Sequence, residues 1–313
     1  MKCTYFALSI CFWLLAASSC VVSADAHDSN VSSDDVPLRL VGGKNPLIVV
    51  PVYINGKGPY EFILDTGAFR CLLSPELSRT LGIEPEARQS ATGIGGQVEM
   101  ASARVSSFAI GSIRQENVDV AITSELSRFG DAVQSKVGGV VGFNFLQGLR
   151  FTVNYPRKLL RLTRSSPASQ EETGNQLTDS ASFKLADPSK PLILLSAFVN
   201  GRGPFIFVLD TGASKSIVSF NLARKLGIVA IGGRTGTATG GEVQILSGQV
   251  DTLAVGNAVV RDLSISVGEF FHDFSAASGI KFDGIIGENF LNNFEFTVDY
   301  PRGTLELKPA GAR

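Results

Sequence analysis

The feature that most constrains this chain is that its sequence is written twice. Leu47–Ile83 aligns with Leu192–Ile228 at a constant offset of 145, and 18 of those 37 positions are identical. Asn55-Gly56-Lys57-Gly58-Pro59 returns as Asn200-Gly201-Arg202-Gly203-Pro204, and Asp65-Thr66-Gly67-Ala68 returns as Asp210-Thr211-Gly212-Ala213. Farther on, Val140-Val141-Gly142 becomes Ile285-Ile286-Gly287, and the run Phe151–Arg157 becomes Phe296–Arg302, with no slip in the offset. Two long copies mean a duplicated domain, because solenoids stack more and shorter units.

Within each copy the pattern is strand and turn. Leu47–Ile54 is an apolar strand closed by Asn55-Gly56, a hairpin-turn pair, and Tyr60–Leu64 is a second strand running straight into Asp65. Ser74-Pro75 opens a short helix that reaches Leu81 and stops at Gly82, and Ser219 opens its equivalent over Phe220–Leu226. Little else reads as helical. With 33 glycines and many Val/Ile/Thr runs, the chain is expected to be all-β: two barrel-like lobes related by a pseudo-two-fold axis, each with a short helix.

The composition excludes several classes of function. Hydrophobic residues are 44% and charged residues 18% of the 313, as in a globular protein. Lys plus Arg is 28 against 29 acids, a net charge of -1, so nothing favours nucleic acid or an acidic membrane as a partner.

The chain begins differently. Lys2, an apolar run over residues 5–17 and the small residues Val22-Ser23-Ala24 read as a secretory signal over residues 1–24. The expected destination is export, either periplasmic or secreted. Ala17-Ser18-Ser19-Cys20 loosely resembles a lipoprotein box, which leaves a lipid anchor at Cys20 as an alternative. The run is short for a membrane span, and none is expected in the mature protein. A flexible tail over 25–36, a first lobe over 37–162, a polar Ser/Thr-rich linker over 163–181 and a second lobe over 182–309 complete the division. Beyond the signal only Cys71 remains, too few thiols for an internal disulfide, and its counterpart Ser216 argues for a buried core position rather than a nucleophile.

Asp-Thr-Gly alone is a weak motif that suits many β-turns. Twice, at the same place in two copies of one unit, it means more. Duplication sets equivalent residues face to face. If the two loops meet on the axis, Asp65 and Asp210 share one proton, one carboxylate activating a water while its protonated partner polarises an amide carbonyl. The chain has two histidines, His27 and His272, and no Ser/His/Asp set or metal cluster follows the repeat, so neither a metal nor a cofactor is expected.

These motifs resemble the pepsin and retropepsin-like aspartic peptidases. The resemblance covers roughly residues 37–162 and 182–307, including Asn144-Phe145-Leu146 and Asn289-Phe290-Leu291 after each apolar-apolar-Gly run. It implies an aspartic endopeptidase acting on peptides or proteins, with Asp65 and Asp210 catalytic. Thr66 and Thr211 would interlock beneath them, with Gly67 and Gly212 completing the dyad support. It also implies a mobile hairpin, the flap, at Thr92-Gly93-Ile94-Gly95-Gly96, and a second at Thr239-Gly240-Gly241, contacting substrate. Phe69 and Ser214 depart from the retropepsin Asp. Ala68 and Ala213 lack the pepsin hydroxyl, so a pH optimum milder than pepsin's is expected. Phe270, Phe271 and Phe274 break the repeat and read as a packed loop, with a specificity pocket as the alternative. The main expectation is a monomer forming an intramolecular pseudo-dimer. Two other arrangements stay open: a dimer with homotypic sites, and a catalytically silent peptide-binding or envelope-interaction module.

Overall fold

The computed structural model describes residues 34–166 apart from residue 134, residues 180–310, and the backbone of two short strands, Ala7–Leu8 and Cys11–Phe12. It is a β protein of two similar lobes joined by a shared sheet. In the N-terminal lobe the long hairpin Leu47–Ile54 and Lys57–Leu64 turns at Asn55 and Gly56, both at positive φ (52° and 75°), and the C-terminal lobe repeats this at Asn200 and Gly201 (50° and 69°). Asn and Gly are the residues that tolerate this conformation at least cost, and it matches the twist of the flanking strands. The helix Pro75–Leu81 is capped by the Ser74 hydroxyl, which accepts from the Leu77 N–H, and ends on Gly82 at φ 68°. Ser219, Phe220–Leu226 and Gly227 build the same unit in the second copy.

In each lobe the strand ahead of the Asp is wedged against the apolar-apolar-Gly strand. Lys57–Leu64 pairs in parallel with Gly139–Val141, which also pairs with Cys71–Leu73; Arg202–Leu209, Gly284–Ile286 and Ile217–Ser219 do likewise. The residues between strand and return strand, 65–70 and 210–216, therefore form loops held at the sheet's end.

Six strands join the lobes, in the order Ser180–Asp187, Thr304–Pro309, Phe294–Asp299, Leu149–Asn154, Leu159–Arg164, Asp34–Pro37. The two central strands run antiparallel, with Thr152 opposite Thr297 and their hydroxyls 2.8 Å apart. Those residues are each other's repeat counterparts, so the pseudo-two-fold axis passes between them. Phe151 and Phe296 meet edge to face across the same strands, at 6.2 Å between centroids.

Some boundaries and elements differ from the sequence expectation. The tail expected over 25–36 is already a strand from Asp34, because Arg161 and the exposed edge of Leu159–Arg164 give it a partner. The linker expected from 163 begins inside that strand, which runs to Arg164, and Ser180–Ser182 is paired with Thr304–Glu306. Helices are also more numerous than expected. Glu125–Val133 and Phe271–Ser278 are helices, and single turns over Phe143–Leu146 and Glu288–Leu291 follow the apolar-apolar-Gly runs. The Phe270–Phe274 segment is thus a buried helical cluster rather than a loop. Phe270 stacks on Phe271 at 4.6 Å, Phe271 and Phe274 both pack against Phe282, and all four rings are buried. No helix among the described residues is long and apolar enough to cross a membrane. Cys20, the cleavage region near Ala24 and residues 167–179 of the linker lie outside the described residues.

Candidate active site

Asp65 and Asp210 stand at the ends of their strands with backbone N–H groups donated to Val141 O (3.1 Å) and Ile286 O (3.0 Å). Each carboxylate accepts from the N–H of the glycine two residues on, Gly67 to Asp65 Oδ1 and Gly212 to Asp210 Oδ1, both at 2.8 Å. Both side chains are fully buried, and across the lobe junction each carboxyl lies within electrostatic reach of the other. A Cβ on Gly212 would lie 2.6 Å from Asp65 Cγ, so the second loop needs glycine there for the first lobe's carboxyl to come this close.

Beneath the pair the threonines exchange hydrogen bonds between lobes. Thr66 N–H donates to Thr211 Oγ1 (3.0 Å) and Thr211 N–H to Thr66 Oγ1 (3.1 Å). Each hydroxyl in turn donates to the opposite strand, Thr66 to Leu209 O and Thr211 to Leu64 O, both at 2.8 Å. Three buried polar groups per side are satisfied by these four hydrogen bonds, which fix the two loops relative to each other.

Burial, then the Asp65 charge, push the Asp210 carboxyl well above the ordinary carboxylate range. Two carboxyls this close and this dry cannot both ionise, so the pair holds a proton. Ala68 and Ala213, also fully buried, bring no hydroxyl to the carboxylates.

A second layer supports the loops. Asn144 Oδ1 accepts from Cys71 N–H (2.8 Å) and its Nδ2 donates to Asp119 O (2.7 Å). Asn289 does the same with Ser216 N–H and Ser264 O. Cys71 Sγ accepts from Gly142 N–H, as Ser216 Oγ accepts from Gly287 N–H; burial pushes the Cys71 thiol up to about 12, an inert core group.

The two glycine-rich hairpin tips, one from each lobe, touch. Gly93-Ile94-Gly95-Gly96 closes the hairpin of Ala87–Gly93 with Gly96–Ile110, and Thr239-Gly240 closes that of Ile231–Ala238 with Gly241–Val255. Gly95 N–H donates to Thr239 O at 2.8 Å. A Cβ on Gly93 would lie 2.2 Å from Thr239 O, and one on Gly240 would lie 2.3 Å from Gly96 O, so backbone meets backbone there. Ile94 and Thr239 are buried at the tips, whereas the Thr92 hydroxyl accepts from Gln97 on its own hairpin. The short strand Ala7–Leu8 runs parallel to Thr237–Ala238, and Cys11–Phe12 runs antiparallel to Thr92–Gly93.

Three groups were missed in the sequence. Glu288 is fully buried and accepts from the Tyr155 hydroxyl of the other lobe, and burial holds its carboxyl well above the ordinary range. Tyr300, the repeat counterpart of Tyr155, instead faces Phe143, the counterpart of Glu288, with rings 5.3 Å apart. Glu125 accepts from the Gly240 N–H at 3.1 Å, tying the second flap to the first lobe. The offset held the signal for the first two: a carboxylate stands in one copy where the other has Phe, inside a motif that otherwise repeats. Among the described residues there is no group of three or more His, Cys, Asp or Glu placed to hold a metal.

Two β lobes around one bridging sheet, with a paired-aspartate loop from each, define the aspartic proteinase fold. The crystal structure of the aspartic proteinase from Irpex lacteus superposes with a TM-score of 0.52, at 16% identity, over 89% of this chain and 97% of that one. A sequence model described as aspartyl protease matches residues 50–145 and again 195–290, and the chain belongs to that family. Both matches span the same positions of the two copies, at the offset of 145. No curated protein matched the chain.

Proposed function

We propose that this protein is an aspartic endopeptidase whose single catalytic pair is formed within one chain by Asp65 and Asp210. The observation that carries this reading is the buried carboxyl pair locked by the reciprocal Thr66–Thr211 hydrogen bonds. Catalytic groups are effective when held in place before substrate arrives, and this lock does so without contribution from another subunit. The ionised carboxylate takes a proton from water as its oxygen attacks the scissile carbonyl, while the protonated carboxyl donates to the carbonyl oxygen. Collapse of the resulting gem-diol passes a proton to the leaving amine and restores the singly protonated pair. An extended peptide is the natural occupant, since the flap strands already accept short extended segments as added strands. Export follows from the N-terminal signal, and a monomer from the intramolecular pair.

Asp65→Asn and Asp210→Asn each remove one member of a two-carboxyl acid–base pair. Either is expected to lower kcat/KM by about 10³-fold or more while peptide binding persists. Cleavage of a peptide library across pH, read by mass spectrometry, tests this. Substantial residual activity in either variant refutes a single mixed pair, and a wild-type protein that binds peptides without cutting any is a silent binding module.

A further inference from the structure

Beside the aspartate loop of the second lobe lies a cavity of about 360 Å³, lined among others by Lys44, Lys215, Arg261, Asp262, Ser264 and Asn289. Three parts of the fold converge there. Lys215 follows Asp210 by five residues on the same loop, Lys44 comes from the turn between Arg39–Val41 and Leu47–Ile54 in the other lobe, and Arg261 lies on the strand Ala258–Gly268. Arg234, on the descending strand of the second flap, adds its charge to the same neighbourhood. The Lys215 ammonium is half-buried and donates to Ser264 Oγ at 3.2 Å. Partial burial, then the nearby Arg234 and Lys44, pull it below the ordinary lysine range. Lys44, Arg261 and Asp262 of the lining are exposed, as is Arg234, which donates to Ser247 on its own hairpin, whereas Lys215 is the half-buried member.

The opposite end of the site is built differently by the same repeat. The counterpart of Lys215 is Arg70, which has Asp119 beside it; the counterpart of Asp119 is Ser264. The counterpart of Arg261 is Glu116, that of Arg234 is Gln89 and that of Lys44 is Ser189. The first lobe thus places one carboxylate near Arg70, shared with Arg104, whereas the second brings further cations near Lys215. Like charges brought together around a half-buried ammonium repel one another, and an anionic ligand relieves that repulsion.

We propose that this cavity binds a carboxylate of the peptide lying in the cleft, either an acidic side chain or the C-terminal carboxylate, and so makes the enzyme selective for acidic substrates on one side of the scissile bond. This rests on the peptidase reading and adds its substrate class. Lys215, with Arg234 and Lys44, supplies the charge, and the Ser264 hydroxyl orients the Lys215 ammonium.

The test uses fluorescent peptides with an apolar central pair and Glu, Gln or Lys at each of the four positions on either side, with free or amidated C termini. Binding is read by anisotropy on the Asp210→Asn protein, and cleavage on the wild type. One position on one side should prefer Glu over Gln by about tenfold in Kd and KM, with Lys weaker still, and added salt should shrink the preference. If amidation rather than side-chain identity makes the difference, the C-terminal carboxylate is the bound group. Lys215→Gln should erase the Glu-over-Gln preference in binding, and Arg70→Gln should leave it intact. Equal binding of Glu and Gln peptides at every position, with either terminus, overturns the carboxylate site whether or not cleavage occurs. Cleavage without charge preference overturns the site and leaves the peptidase reading standing, whereas Glu-selective binding without any cleavage supports the site and removes the peptidase reading.

Discussion

The two halves are equal at the threonines and unequal just beneath the aspartates. Thr66 and Thr211 make the same four hydrogen bonds by exchange, and Thr152 meets Thr297 on the axis. Under Asp210, however, the first lobe's Tyr155 donates to the buried Glu288, whose ionised form would also push the Asp210 carboxyl up. Under Asp65, the second lobe's Tyr300 packs on Phe143, and its buried hydroxyl has no hydrogen-bond partner among the described residues. Symmetry is kept where two loops must be clamped together and broken where the environments of the carboxyls are set. Two carboxyls in different surroundings titrate unequally, and an acid–base pair needs unequal members.

The largest effect should come from breaking the shared part. Thr211→Val strands the Thr66 N–H and the Leu64 carbonyl in a dry junction and should cost about 2–4 kcal/mol, with Thr66→Val costing the same within error. Urea denaturation of both variants checks this, and a clear inequality would show that the clamp is not symmetric. The tyrosines should differ in a way the threonines do not. Tyr155→Phe leaves a buried carboxyl without its donor and should cost about 1–3 kcal/mol, whereas Tyr300→Phe removes a hydroxyl that has no partner and should be neutral or slightly stabilising. Thermal melts of the pair decide between equality and asymmetry.

Glu288 gives the comparison a pH signature. Burial raises its folded pKa above the ordinary 4.5, so above that pH the unfolded chain releases a proton that the folded one keeps. Stability from this group is full below pH 4.5 and is lost as pH rises towards the folded value, by up to about 1.4 kcal/mol per pH unit. Asp210 contributes with the same sign from its ordinary 3.8 upwards. Glu288→Gln should remove the first contribution and keep the second, flattening part of the decline in a pH series of denaturation midpoints. An unchanged slope would mean that Glu288 ionises normally. The smallest effect is expected at the flap. Glu125→Gln weakens one hydrogen bond to the Gly240 N–H and should raise KM about two- to fivefold with kcat little changed, measured by steady-state peptide cleavage.

Much of this site was legible because the chain repeats it. Asp65 and Asp210, the threonines beside them, the Ser74 and Ser219 caps and the Asn55 and Asn200 turns each carry a local signal twice, and the fixed offset turned weak motifs into strong ones. The offset marks Glu288 as a break in the repeat, but its pairing with Tyr155 and that of Glu125 with Gly240 were not legible, since the partners lie 133 and 115 residues away in the other lobe. The helix Phe271–Ser278 was hidden for a related reason: its aromatic residues show no clean helical stripe, and its burial comes from Phe282 and the neighbouring flap.

By itself, then, the sequence determined that one β unit is made twice, where its strands turn, and that each copy ends a strand on an aspartate. Those are local properties, set by backbone preference and by the alternation of apolar residues. Only the tertiary structure decided that the two aspartates meet, that their threonines exchange partners, and that one side rests on a carboxyl and the other on a ring. Close approach across an interface is a matter of packing between distant segments, where one lobe supplies the dry surroundings of the other's ionisable group.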